Sequence, residues 1–226
     1  MYIVIAGGGM IGGNLARKLV ANKHDVIVID KEKVLCDSLY AETGAITIHG
    51  NTSSTDTLEE AGIKKADVFV AATGNDTDNL ASSILARSFG VPEIIVRVRN
   101  SGYEKAYKLA GVTSMINLAD LVVNQMIVQI EKPKVKKIMT IAGGKADIYS
   151  VVVPKKAYVA GKKIEVIGKD PNFPPKCIFI SMYNKSTDAL LIPRGHHVIN
   201  EGDELFLISA ADDIGKVADF LTRTKK

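Results

Sequence analysis

The opening of the chain constrains its fold more than any other stretch. An apolar segment, residues 1–6, runs directly into Gly7, Gly9 and Gly12, which have the spacing G-x-G-x-x-G, and a helical pattern begins near Ile11. This order predicts the first strand, turn and helix of a dinucleotide-binding fold. The three glycines then allow a tight turn, a close approach of a pyrophosphate and close packing of the helix on the strand. The amides of the first helical turn have no partners within the helix and lie at its positive end, so the turn favours an anion.

A carboxylate follows at the distance that this fold requires. The second predicted strand, residues 25–29, ends in Asp30, eighteen residues beyond Gly12. At this position a carboxylate can accept a hydrogen bond from a ribose hydroxyl. The alternative is an ordinary glycine-rich turn, with Asp30 acting only as a cap at the end of its strand.

The bulk composition is that of an ordinary soluble globular protein, with 46% apolar and 24% charged residues among 226. No apolar run approaches the ~18 residues of a membrane span, and no basic segment of a signal peptide precedes the first strand. We therefore expect a cytoplasmic protein. Cys36 and Cys177 have no partner motif, which fits a reducing compartment and structural thiols.

Strand and helix patterns alternate up to residue 131. Six strands with helical crossovers predict an α/β fold, a Rossmann-like doubly wound parallel sheet, in which ligands bind beyond the carboxyl ends of the strands. Polar residues gather at those ends, although Ser, Thr, Asn and Asp are also common as helix caps. Besides Asp30, these candidates are Asn51, Thr52, Ser53, Thr73, Asn75, Asp76, Arg97 and Arg99.

The predicted helix Leu118 to Ile130 is apolar over much of its circumference. Such a helix is buried on more than one side. Because the preceding sheet already has its crossovers, we expect the helix to pack against another subunit. The alternative is that the C-terminal domain covers it.

The pattern changes after this helix. Residues 132–137 are charged and contain Pro133, so they are predicted to be a linker, and residues 138–226 form a smaller, mostly β, α+β domain with a closing helix from about Asp212. The basic clusters, Lys132 to Lys137 and Arg223 to Lys226, could favour anionic lipid or nucleic acid. Because they contain no interleaved aromatic residues, we interpret them as solvated segments and predict no nucleic-acid binding. No residues have metal-ligand spacing, and no metal is predicted.

Taken together, the motifs resemble the TrkA family, whose members are RCK-domain regulatory subunits of Trk and Ktr potassium uptake systems. The resemblance covers nearly the whole chain. It depends on the glycine loop, Asp30 and a set of further motifs: Gly50 to Ser53, Leu58 to Ile63, Ala66-Asp67, Ala72 to Asp76 with Asn79, Arg97 to Arg99, Ala160 to Lys162, Pro193 and Glu201 to Asp203.

The resemblance implies an RCK N-terminal domain over residues 1–131 and a TrkA C-terminal domain over residues 138–226. It also implies that the first domain binds an adenine nucleotide, NAD or NADH, or ATP, ADP or AMP. The residues expected at this site are Gly7, Gly8, Gly9, Met10, Ile11, Gly12, Asp30, Lys31, Asn51, Thr52, Ala72, Thr73, Gly74 and Arg97.

Two positions depart from ATP-responsive members of the family. Some of those members have an arginine where this chain has Met10 and an acidic residue where it has Ala119. Both residues serve the triphosphate or its cation, which argues against a full ATP response. Asp30 argues against NADP, because its carboxylate would lie beside the 2′-phosphate.

The function implied by the resemblance is regulation of a membrane potassium-translocating subunit. We expect the protein to be cytoplasmic and to lie at the inner face of the cell membrane through its partner. We also expect a homo-oligomer, with a dimer as the building block of a larger ring. We expect no catalytic residues, because the second half offers only His196 and His197 on a predicted surface turn. The alternatives are an NAD-dependent oxidoreductase and an RCK module that regulates a different cation transporter.

Overall fold

Two different sheets organise the chain in a computed structural model that describes residues 1–131, 133–141 and 145–224. The compact units that contain them are Met1–Leu121 and Val122 onward. Lys132, Lys225 and Lys226, on which parts of the predicted linker and basic tail fall, lie outside the described residues.

The first unit alternates strands and helices, as the sequence pattern predicts. Its strands are β1 (Tyr2–Ala6), β2 (Asp25–Asp30), β3 (Ile46–His49), β4 (Val68–Ala71), β5 (Glu93–Val98) and β6 (Ser114–Asn117). Its helices are α1 (Met10–Ala21), α2 (Lys33–Thr43), α3 (Thr55–Glu60), α4 (Asp76–Ser88) and α5 (Glu104–Leu109), and α6 (Leu118–Glu131) begins at its end.

All six strands are parallel, in the order β3-β2-β1-β4-β5-β6. The central strand β1 is buried on both faces, because Val4 and Ala6 pack into one hydrophobic core while Ile3 and Ile5 pack into another. This is the pattern expected of a parallel strand covered by helices on both sides. The prediction of a doubly wound sheet is confirmed, and the chain reverses direction across the sheet between β1 and β4.

The second unit is built on an antiparallel sheet. Its strands are β7 (Val135–Ile141), β8 (Ala146–Val152), β9 (Cys177–Asn184), β10 (Ala189–Leu191) and β11 (Glu204–Ala210), and its helices are α7 (Ile164–Gly168) and α8 (Ile214–Thr222). The strand order is β10-β9-β11-β8-β7. The predicted α+β character is confirmed, whereas β7 and the one-turn helix α7 were not predicted.

The predicted linker over residues 132–137 is wrong at its end, because β7 begins at Val135. Lys137 lies in this strand, and its Nζ is 2.7 Å from Oδ1 of Asp147, whose side chain is only 3% exposed. A lysine paired across two strands with a buried carboxylate belongs to the sheet and is not a solvated linker residue. The other predicted domain boundaries stay predictions.

Arg223 also departs from the solvated tail predicted from its charge. Its guanidinium lies 3.8 Å from the ring centre of Tyr158 and 4.2 Å from that of Phe220. A planar, weakly hydrated guanidinium stacks readily on aromatic rings. The end of the chain is further joined to the domain by the bond from the Tyr158 amide to the Arg223 carbonyl, 2.7 Å.

Most apolar side chains of α6 remain exposed, from 43% for Ile127 to 79% for Ile130. The helix is 14 residues long. Among the described residues, no helix combines the length and apolar character needed to cross a bilayer.

Both cysteines are buried, and burial raises the pKa of each thiol, that of Cys177 to about 11. We expect neither thiol to react rapidly with Ellman's reagent at pH 8 in the folded protein, because the thiolate is the reactive form. Both should react at once in guanidinium chloride. Since the unfolded pKa is lower, about 8.5, the free energy of unfolding should fall as pH rises from there towards 11. A rapid reaction of one thiol with Ellman's reagent in the native protein would contradict the expected protection, and the Cys36→Ser variant would show which thiol reacts.

Candidate functional site

The turn between β1 and α1 is held tightly against the end of β4. Gly7 has a left-handed backbone, with φ at 103°, and its amide donates to the Ile29 carbonyl at 2.8 Å. A Cβ atom on Gly7 would lie only 3.0 Å from the backbone of Ala72 and Thr73. Both the backbone angle and the space therefore require glycine here.

The other two glycines of the motif have opposite surroundings. A Cβ on Gly12 would lie 1.8 Å from the carbonyl oxygen of Gly7, whereas a Cβ on Gly9 would meet no protein atom within 4 Å. Gly12 thus lets α1 pack directly over the turn, and the space beside Gly9 is open to a ligand. Gly9 precedes α1 and no side chain caps this helix, so its first-turn amides lack a side-chain partner beside the open space.

Asp30 is fixed at the end of β2 by two backbone amides. Its Oδ2 accepts from the Gly8 amide at 2.5 Å, and its Oδ1 accepts from the Glu32 amide at 2.8 Å. An ionised carboxylate has about four acceptor positions, so two remain available. The geometry leaves the carboxylate able to receive the paired hydroxyls of a ribose.

The opposite wall is the loop from Thr73 to Asn75, which is organised by the fully buried Asn79. The Asn79 Oδ1 accepts from the Thr73 amide at 3.0 Å and from the Thr73 hydroxyl at 2.7 Å, while its Nδ2 donates to the Arg97 carbonyl at 3.3 Å. The Asn75 side chain caps α4 by accepting from the Thr77 amide at 2.7 Å. Thr73 and Asn75 therefore have structural bonds as well as positions on the wall.

Arg97 lies on the floor of this region, at the end of β5. It is half-buried, and its Nε is buried without a hydrogen-bond partner among the described residues. Buried polar groups are nearly always bonded, and a guanidinium binds anions strongly. Arg97 lines the cleft, so its guanidinium is placed to bind an anionic ligand there.

These parts surround one cleft of about 730 Å³ at the carboxyl edge of the sheet, where the strand order reverses. Twelve of the fourteen expected site residues line it, namely Gly7, Gly9, Met10, Ile11, Asp30, Lys31, Asn51, Thr52, Ala72, Thr73, Gly74 and Arg97. Gly8 and Gly12 do not line the cleft but hold Asp30 and α1 in place.

Some candidates have other places in the structure. Asp76 turns away from the cleft and accepts hydrogen bonds from residues beyond β5, and Arg99 and Ser53 do not line the cleft. Four lining residues were not predicted: Glu32, Leu35, Gly50 and Asp78. Each lies within five residues of a predicted one, but sequence spacing gives no signal for which neighbours turn inward.

The histidines considered for catalysis lie outside the cleft. His197 lies in a turn, where its Nδ1 accepts from the Arg194 amide at 2.8 Å, and its ring stacks on His196. Within residues 1–131, 133–141 and 145–224, no three His, Cys, Asp or Glu side chains are placed to hold a metal ion.

Comparison with known proteins agrees with this architecture. The TrkA-N domain model matches residues 3–118 and the TrkA-C domain model matches residues 148–222. The Trk system potassium uptake protein TrkA homolog of Methanothermobacter thermautotrophicus is 36% identical over 214 residues, which are 95% of this chain and 96% of the relative.

The chain belongs to the TrkA family. A longer TrkA homolog from Archaeoglobus fulgidus is 33% identical, and the chain spans 48% of its length.

The same fold occurs in part of the GsuK channel. The whole chain aligns with 40% of GsuK at a TM-score of 0.69 and 20% identity, and with the NAD-bound GsuK channel at a TM-score of 0.66 and 19% identity. At these identities the likeness establishes the fold.

Because Gly12 and Gly9 have opposite surroundings, alanine substitutions at these two positions should differ in their effect on stability. We expect Gly12→Ala to lower the melting temperature of the first unit by several degrees or to prevent folding, because a backbone oxygen blocks the new methyl group. We expect Gly9→Ala to leave the melting temperature nearly unchanged, because φ at Gly9 is −65° and the methyl meets no protein atom. Calorimetry of the two variants checks this pair, and equal losses in both would contradict it.

Proposed function

We propose that this chain is a nucleotide-sensing regulatory subunit that gates a Trk- or Ktr-type potassium transporter or channel. The observation that carries the proposal is its membership of the TrkA family over both halves, with a relative of almost equal length named for potassium uptake. The subunit acts on the cytoplasmic side, attached to the inner face of the membrane through its partner. Regulation of a different cation transporter by the same module is the nearest alternative.

The ligand in this proposal is an adenine nucleotide, either NAD or NADH, or ATP, ADP or AMP. Its phosphates bind the uncapped start of α1 beside Gly9, and a ribose bonds the remaining acceptor positions of Asp30. The Arg97 guanidinium, which lines the cleft, then donates hydrogen bonds to an anionic group. The NAD-bound GsuK channel, which shares the fold, supports this ligand class.

Two side chains narrow the choice of nucleotide. Asp30 disfavours NADP and NADPH, because the 2′-phosphate would lie beside a carboxylate. Met10 is 82% exposed and uncharged at the rim of the cleft, so it offers no cation to a third phosphate. Asp30 thus favours NAD and NADH over their 2′-phosphorylated forms, and Met10 favours a dinucleotide or a diphosphate over ATP.

The second part of the proposal is that the chain binds the nucleotide and does not catalyse a reaction of it. An NAD-dependent oxidoreductase needs an acid or base beside the reacting carbon. The histidines considered for that role, His196 and His197, lie in a turn of the second unit, where one ring nitrogen of His197 is used by the backbone. This arrangement supports a sensor and gives no support to a dehydrogenase.

A second copy of the chain is the expected neighbour of α6. The helix exposes six large apolar side chains, Leu121, Val122, Val123, Met126, Ile127 and Ile130. A patch of this kind marks an interaction surface. It supports a dimer as the building block of a larger ring, which would pass a change in the cleft to a neighbouring subunit.

Nucleotide binding should raise the melting temperature of the wild type. A ligand at 100 times its dissociation constant adds about 2.7 kcal/mol to the free energy of unfolding. We expect NADH and ADP to raise the melting temperature more than NADPH, and Gly9→Ala to lose most of this rise because its methyl occupies the ligand's space. The ligand-free melting temperature of the variant serves as the control. If no adenine nucleotide shifts the wild type, the proposed sensor is wrong.

Disruption of the α6 surface should dissociate the oligomer. We expect Met126→Lys to weaken self-association at least about tenfold, because it places a charge in an apolar interface. Light scattering after size-exclusion chromatography measures the mass across a dilution series. Val34→Lys is the matched control, since it introduces the same charge at an apolar residue of α2 that is 78% exposed. An unchanged mass for Met126→Lys would contradict an interface on α6.

A further inference from the structure

A buried carboxylate connects α4 to the segment after β5. Asp76 is the first residue of α4 and is 9% exposed. Its Oδ1 accepts from the Arg99 amide at 3.0 Å, and its Oδ2 accepts from the Asn100 amide at 2.9 Å. The fully buried Tyr107 hydroxyl lies 3.0 Å from both Oδ1 and the main-chain oxygen of Asp76. The carboxylate also lies at the positive end of its helix, which stabilises its charge.

The same network reaches the wall of the cleft. The Arg99 guanidinium donates to the carbonyl oxygen of Gly74, and Gly74 lines the cleft. The backbone of Arg99 is held by Asp76 in turn. A closed set of bonds therefore runs from the wall through Arg99 and Asp76 to Tyr107 on α5. None of the last three residues lines the cleft.

The Tyr107 hydroxyl is a permanent donor in this set. Burial and the neighbouring Asp76 carboxylate raise its pKa far above the ordinary value for tyrosine. The hydroxyl thus stays protonated at any physiological pH and has two acceptors on one residue. The bonds between Tyr107 and Asp76 are buried, so α5 and the start of α4 shift together, because separating them would leave polar groups unpaired. The bond from Arg99 to Gly74 is exposed and adds a second connection, besides the chain itself, between Asp76 and the wall.

We propose that Asp76 and Tyr107 are positioning residues that link occupancy of the cleft to α5, and from there to β6 and α6. The inference rests on the proposed function for its ligand and gives the route by which that ligand acts on the α6 surface. A nucleotide that presses on or orders Gly74 also orders the segment from Arg99 to Tyr107. Its effect on α5 can be no larger than the ligand's differential affinity for the two arrangements.

Hydrogen–deuterium exchange of the full chain, with and without saturating NADH or ADP, tests this link. In the wild type we expect nucleotide to slow exchange at residues 73–78 and at residues 104–109. In Tyr107→Phe we expect slowing at 73–78 to remain and slowing at 104–109 to be lost. The nucleotide dissociation constant, from calorimetry, should change less than about threefold because the hydroxyl does not reach the cleft.

Tyr2→Phe is the matched control. It also removes a tyrosine hydroxyl from the first unit. That hydroxyl donates to the Ala61 carbonyl at 2.9 Å and belongs to the first residue of β1, at the end of the strand away from the cleft. This variant should keep both exchange effects. Asp76→Asn, which keeps the volume but loses an acceptor, should reproduce the loss at 104–109 and gives the answer if Tyr107→Phe does not fold.

The outcomes separate this inference from the function on which it rests. Nucleotide binding with exchange slowed only at the wall, or with slowing at 104–109 retained in both Tyr107→Phe and Asp76→Asn, overturns the link and leaves the sensor intact. Failure of the wild type to bind either nucleotide in calorimetry overturns the proposed function, and the link with it.

Discussion

The close approach of α1 to the turn after β1 is the constraint on which the candidate site depends. With no side chain at Gly12, the helix begins directly over the carbonyl of Gly7. That contact places the uncapped amides of α1 at the reversal point of the sheet and sets Gly8 where its amide can hold Asp30. Both the anion site and the ribose acceptor therefore result from one backbone contact, and the rest of the cleft is built around them.

The parts of this site that sequence predicts well are those in which function depends on a single residue type. Gly7, Gly12 and Asp30 have roles that follow from local backbone geometry and short spacing, so the motif specifies them. The parallel sheet could be predicted equally well, because β1 and β4 are continuous apolar segments bounded by loops. The sequence could not show which polar residues face the ligand and which make internal hydrogen bonds, since this depends on partners far away in the chain.

Asp76, Asn79 and β7 show why that information is missing from a local pattern. Asp76 was a candidate for the cleft, yet its partners come from the segment after β5 and from α5, 23 to 31 residues later. Asn79 joins the ends of β4 and β5, a role set by strand order and not by neighbours in sequence. The lysines of β7 made this segment resemble a charged linker. The sequence does not show that Lys137 pairs with Asp147 of the adjacent strand.

The open space beside Gly9 affects which substitutions this lineage can accept over time. Because an alanine there would meet no protein atom and suits the backbone angle, the fold itself exerts no selection for glycine at this position. Only an occupant of the cleft can do so, whereas Gly12 is retained by folding alone. Among descendants of this sequence, drift at position 9 with glycine kept at position 12 would mark chains that still fold but have abandoned their ligand.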